Sequence, residues 1–228
     1  MSTWDRSLQS CLRHNFCDKK TRSDKGTHMI AGYDKLVALP TDRPIWDRFF
    51  GVHPLVIVGS KEEDTYNLAP KHLAMPLGWD NYFVFVCSSS HRTYHNIRRH
   101  GAFTVSYPRP SDVLLASLTA APRCEDLSKP VLLMLPTFPA RHIDGALVKG
   151  CYVFLECTLH SIMDGFGPNS LIIGRVVAAT AHEDALRDDQ RDESDQIYQN
   201  PLLAYLNPGR LAEIRQSMAF PFPKGFTR

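Results

Sequence analysis

At 228 residues the chain is long enough to bury a substantial core, as one domain with extensions. Its net charge of +2, with 22% charged and 43% hydrophobic residues, lacks the clustered basic excess that nucleic acid or an anionic membrane surface would call for. No apolar run approaches the roughly 20 residues that cross a bilayer, and the densest candidate, Val131 to Leu135, is fenced by Pro130 and Pro136.

Residues 1–40 are polar and aperiodic and read as an N-terminal extension, with a single domain over 41–228. Asp5, Arg6, Arg13, Asp18 and Lys19 interrupt any secretory apolar region, which predicts a cytoplasmic protein whose six cysteines are reduced thiols without a CxxC pair. Cys11, His14 and Cys17 have the spacing of three metal ligands, but no fourth is evident, so the segment reads as a tail and no metal is expected.

The globular part starts near Pro44 to Phe50, and strands dominate from there. His53 to Ser60, Tyr82 to Cys87 and Ala102 to Tyr107 are β-branched or alternating runs that end at polar or proline residues. Leu147 to Met163 fits one bent strand or two, with Gly150 as a bulge point, and Ser170 to Ala179 is a further strand containing a glycine. Helices are expected over Arg92 to His100, stopped by Gly101, and over Asp112 to Thr119. A third would start at Asn207-Pro208 and run through Leu211, Ile214 and Met218. Glu183 to Gln196 is almost wholly polar and reads as a solvated helix or loop. Strands with glycines and few helices imply a mainly β fold with flanking helices, closed or partly closed as an antiparallel barrel.

The chemistry concentrates in Cys87 to Gly101. A strand ends, Ser88, Ser89 and Ser90 follow, and a helix opens at Arg92-Thr93. Free amides at a helix start, hydroxyl donors and a guanidinium make an anion site suited to a phosphate monoester. Taken alone, the segment is equally an ordinary capped surface helix. In Thr65 to Leu73, the order Asn67-Leu68-Ala69-Pro70 gives a small, stiff backbone turn that a flat heterocycle can approach, or simply a turn entering a strand. Cys87 and Cys157 read as small core residues.

In order, the chain carries an apolar strand (Pro54 to Gly59), Asn67 to Pro70, Tyr82 to Cys87, the serine loop, Arg92 to Ile97 and Gly101 to Val105. Later come Leu155 to Cys157 and Ile172 to Val176. This order and spacing resembles the flavin reductase-like family of FMN-binding split β-barrels over about residues 50 to 180. The resemblance implies that Asn67, Leu68, Ala69, Pro70 and Lys71 face the isoalloxazine ring. Ser88, Ser89, Ser90, Arg92 and Thr93 would hold the phosphate and ribityl chain, and Asn96 would reach the same site or support the loop. It also implies a homodimer with flavin near the subunit interface, FMN as cofactor with FAD as an alternative, and NAD(P)H as hydride donor. The expected activity is NAD(P)H:flavin reduction that supplies a partner oxygenase.

The sequence departs from that pattern at two places. Lys71-His72 stands where many relatives have a small hydroxyl residue, which makes His72 a candidate proton-handling residue. Asn169 stands where many reductases have a histidine on the nicotinamide side, which makes it the candidate substrate contact. These departures leave open a flavoprotein that retains FMN and acts on its own small molecule, or a flavin-binding protein without turnover.

Overall fold

The computed structural model describes residues 36–225; the Cys11, His14 and Cys17 trio and most of the expected N-terminal extension lie outside them. The core element is an antiparallel seven-stranded sheet curled into a half-barrel, in the order β3-β2-β6-β9-β10-β5-β4. Its members are β2 (Val56–Glu62), β3 (Thr65–Lys71), β4 (Ala74–Pro76), β5 (Tyr82–Ser88), β6 (Ala102–Tyr107), β9 (Val153–Phe166) and β10 (Asn169–Ala181). A three-stranded sheet joins β1 (Gly51–Pro54), β11 (Leu202–Asn207) and β12 (Arg210–Ile214), and a two-stranded ribbon pairs β7 (Thr137–Pro139) with β8 (Ala146–Val148). Among the described residues, the α-helices are α1 (Arg92–His100), α2 (Val113–Leu118) and α3 (Glu193–Gln199).

The unbroken apolar run of β2 reflects burial on both of its faces. Val56 and Val58 enter one core cluster with Phe83, Phe85, Phe103, Val105 and Ile172. Ile57, between them, enters a second cluster with Leu68, Ala116, Leu147 and Val148. Tyr94 and Ile97 of α1 are buried in the first cluster, so the helix plugs one mouth of the half-barrel. As expected, α1 stops where Gly101 takes the left-handed conformation (φ 68°) and its N–H bonds to the Ile97 carbonyl. Cys87 and Cys157 are core residues, and burial pushes the Cys157 thiol up to about 12.

Four expectations are corrected. Residues 202–214 form a hairpin instead of a helix beginning at Asn207-Pro208, because β11 is held between β1 and β12, with Gly51 opposite Asn207 and Leu206 opposite Arg210. Thr65 to Lys71 is a strand and not a turn; it lies at the sheet edge, where Pro70 needs no ladder donor. Residues 147–163 belong to two strands, one of the two expected arrangements, but Gly150 is in the turn between them (φ 94°) instead of forming a bulge. The run from His53 is likewise divided at Leu55, where the chain passes from one sheet to another.

A bulge does occur opposite Gly174, where β9 carries the extra residue His160 as the pairing passes from Ile173–Ser161 to Gly174–Leu159. A Cβ on Gly174 would stand 2.4 Å from Phe103 Cζ and 3.0 Å from Cys157 Cβ. Gly174→Ala therefore forces a core phenylalanine to move and should cost about 1–3 kcal/mol, read as a lowered urea midpoint with an unchanged m-value.

The loop before β8 is fixed by one carboxylate. Glu156 of β9 accepts backbone N–H bonds from Arg141, His142 and Ile143, the shortest 2.6 Å. Burial pushes its pKa up, but these bonds outweigh it and leave the carboxyl below the usual glutamate range. A depressed folded pKa contributes stability above the ordinary carboxylate pKa, and that contribution is lost as pH falls through the folded value. The stability difference between wild type and Glu156→Gln should be flat near neutral pH and shrink on acidification below the usual glutamate range; denaturant titrations across pH measure it.

Candidate functional site

The serine loop and the start of α1 form a set of hydrogen-bond donors at the barrel mouth. Ser88 and Ser90 place their hydroxyl oxygens 2.9 Å apart, and the Ser90 N–H points to Ser88 Oγ at 3.3 Å. The backbone closes a turn as His91 N–H donates to the Ser88 carbonyl (3.0 Å), and Ser89 N–H donates to the Pro168 carbonyl (3.2 Å). His91, the N-cap residue, makes no side-chain cap bond, and the first turn of α1 carries no acid. The positive helix end therefore faces outward with no side chain competing for it. Arg92 is half-exposed beside this end, with its Nε 3.9 Å from Glu62. Burial and nearby Lys71 lower the His91 pKa.

β3 meets this loop through one buried amide. Asn67, 4% exposed, donates through Nδ2 to Thr93 Oγ1 on α1 at 3.1 Å. Its Oδ1 accepts from Arg123 at 3.0 Å, and the same Arg123 nitrogen is 2.7 Å from Glu62. Lys71, at the end of the strand, reaches Cys87 Sγ at 3.6 Å, which brings its ammonium to the root of the serine loop. On the free edge of β3 the Leu68 carbonyl accepts from Lys129 Nζ at 3.2 Å, while the same amine donates to the Thr119 carbonyl at 2.5 Å. Burial, then Arg123 close by, pulls the Lys129 pKa down to about 8. A groove of about 690 Å³ runs along this edge, lined by Tyr66, Leu68, Arg123, Lys129, Leu132 and Leu135 among others.

Most of the sequence-predicted residues come together here. Asn67 to Lys71 flank Ser88 to Thr93, and Asn169 joins them because β10 sets it opposite Ser88 of β5. Asn96 is 8% exposed and donates to Ser60 Oγ at 3.3 Å, so it ties α1 to β2. His72 goes elsewhere. Its ring stacks on Tyr205 of β11 (centroids 4.3 Å) and meets His53 edge-on. Burial, His53 and Lys71 lower its pKa, which favours the neutral ring of a packed histidine. Sequence reasoning missed Arg123 and Lys129. Both sit in an aperiodic proline-rich segment that only the tertiary fold brings to β3.

The donor set fits a phosphorylated flat ligand. Hydroxyls, uncapped amides and the cations Lys71 and Arg92 surround one end. The small Ala69-Pro70 backbone of an edge strand lies alongside.

A model described as flavin reductase-like domain matches residues 51–209. The chain belongs to the flavin reductase-like family. A curated relative from Methanothermobacter thermautotrophicus, described as an uncharacterized protein, is 29% identical over 137 residues, 58% of this chain and 64% of that relative. The match thus spans just under two thirds of the relative's length. Flavoredoxin from Methanosarcina acetivorans has the same fold, with TM-score 0.67 at 17% identity over 84% of this chain and 97% of its own. BorF, the flavin reductase component of a bacterial two-component tryptophan halogenase, matches with TM-score 0.56 at 16% identity, over 72% of this chain and 91% of its own. The mainly β split-barrel class expected from the sequence is the fold observed. Among the described residues, no helix is long and apolar enough to cross a membrane.

The Asn67–Thr93 bond joins two elements of the site and is itself buried. Asn67→Ala and Thr93→Ala should each lower stability by about 1–3 kcal/mol, and the double variant should cost less than their sum by about 1 kcal/mol. A double-mutant cycle on denaturant midpoints reads this coupling.

Proposed function

We propose that this protein is an NAD(P)H-dependent flavin oxidoreductase that holds FMN between the start of α1 and β3. The observation that carries the reading is the juncture itself. An uncapped helix N-terminus with hydroxyls and cations is fastened through Asn67 and Thr93 to an edge strand of small residues. Ser88, Ser89, Ser90, Arg92 and Thr93 would bind the phosphate and ribityl chain, with the Asn67 to Lys71 backbone toward the ring. Lys71 adds a positive charge at the junction of the two parts. A phosphate monoester is close to a dianion at neutral pH, which this donor set suits, and that favours FMN over FAD.

When bound, flavin supplies the hydride-accepting and electron-storing chemistry, and the chain supplies binding, orientation and field. Asn169, opposite Ser88 in register, would be the side chain that meets a nicotinamide amide, since its own amide both donates and accepts. The protein would act as a homodimer. Leu73, Met75, Leu77 and Trp79, alternate residues around edge strand β4, are all exposed, and Trp79 is 92% exposed. Large apolar groups grouped in this way mark a surface that another protein covers. The halogenase reductase among the similar structures supports passing reduced flavin to an oxygenase partner.

A visible spectrum of the purified protein, followed by anaerobic NADH or NADPH, tests the proposal. The expected result is a flavin band that bleaches with one nicotinamide, and nicotinamide oxidation in air that rises with added free flavin. Arg92→Ala should weaken FMN binding about tenfold or more. A protein that binds no FMN at micromolar levels overturns the reading, and one that binds FMN but ignores both nicotinamides overturns the reductase part.

A further inference from the structure

A second polar chain braces the serine loop, through Tyr94 of α1 and Asp164 of β9. Tyr94, one residue after Thr93 on α1, is 3% exposed. Its hydroxyl donates to the Asp164 carboxylate at 3.1 and 3.3 Å and accepts from Arg98 Nη1 at 3.1 Å. Asp164 also accepts from Ser170 Oγ at 2.6 Å. Asp164 lies near the end of β9 and Ser170 at the start of β10, on the hairpin that carries Asn169. In register, Asn169 faces Ser88 and Ser170 faces Cys87, while Ser89 N–H bonds to the Pro168 carbonyl. The helix start, the serine loop and the Asn169 hairpin therefore close into a ring, and the Tyr94–Asp164 contact is its side-chain link.

The tyrosine ring is held by packing in the same core cluster as Ile97 and Phe85. The hydroxyl is thus the part of the side chain whose removal breaks the ring of contacts without emptying the core.

We propose that Tyr94 and Asp164 are positioning residues that set the spacing between the flavin-phosphate donors of Ser88 to Thr93 and Asn169. This rests on the flavin reading above, and neither residue is assigned contact with the ligand. Removing the link loosens the phosphate end first, so affinity should fall for FMN and much less for riboflavin, which lacks the phosphate.

Tyr94→Phe, Asp164→Asn and the double variant, with Arg92→Ala as reference, would be titrated with FMN and riboflavin by flavin fluorescence, and melted in parallel. The expected result is FMN binding about tenfold weaker in each single variant, riboflavin binding changed by less than about threefold, and a double variant no worse than either single. Tyr94→Phe that binds FMN like wild type while Arg92→Ala loses it overturns the positioning role and leaves the flavin site standing. Equal losses for FMN and riboflavin together with a collapsed melting midpoint also overturn it, as a merely structural effect. Wild type that binds neither ligand overturns the flavin reading itself, and this inference with it.

Discussion

The arrangement depends on the seating of α1 in the mouth of the half-barrel. Its apolar side, Tyr94 and Ile97, fills a core that β2, β5, β6 and β10 also line. Burying that face would by itself leave the helix free to slide or rotate, because apolar packing is weakly directional. Direction comes from two buried amides on the same face. Asn67 reaches Thr93 from β3, and Asn96 reaches Ser60 on β2. Each bond shields a polar group that would be costly to bury alone, so the helix has one low-energy seat. That seat sets where the uncapped N-terminus points.

The charges around this seat are arranged so that the cations stay available. Glu62, largely buried, is the nearest acid, and Arg123 takes it at 2.7 Å while Arg92 is held off at 3.9 Å. Arg123 thus answers the carboxylate and braces Asn67 with one nitrogen, which leaves Arg92 half-exposed at the helix start. Lys71 and Lys129 flank β3 at its end and along its free edge. Burial weakens the hold of Lys129 on its proton, down to about 8. An anion entering the site would relieve the mutual repulsion of these groups, which is a reason for binding energy to concentrate at this end.

Much of the scaffold was legible in the sequence, because burial writes itself into periodicity. The alternation of Ala102 to Tyr107 and the apolar block of Tyr82 to Cys87 mark β6 and β5 within a residue of their observed ends. Arg92 to His100 ends at Gly101 as its sequence implies. Errors arose where a local signal competed with a long-range one. Asn207-Pro208 followed by Leu211 and Ile214 has a helix signature, yet Leu211 and Ile214 pair with Tyr205 and Leu202 of β11, a strand itself paired with β1 about 150 positions earlier in the chain. Asn67 to Pro70 carries turn residues, yet an edge strand tolerates proline and a buried asparagine that has two partners. The serine loop was readable because its chemistry is local. Arg123, Tyr94 and Asp164 were not, since their partners lie 56 and 70 positions away.

The two departures from the family pattern now separate in physical terms. Lys71 and His72 are neighbours on an extended chain, whose successive side chains point to opposite faces. Lys71 goes to the serine loop, and His72 goes to the aromatic contact with Tyr205 and His53. The lysine therefore alters the field of the site, and the histidine fastens the main sheet to the three-stranded one. Asn169 differs again: its backbone place opposite Ser88 is fixed by the β5–β10 ladder whatever side chain it carries. An amide there keeps donor and acceptor capacity but gives up titration near neutral pH. What distinguishes this chain is thus a lysine ammonium at the root of the serine loop and an amide residue opposite Ser88, on a scaffold that holds both positions still.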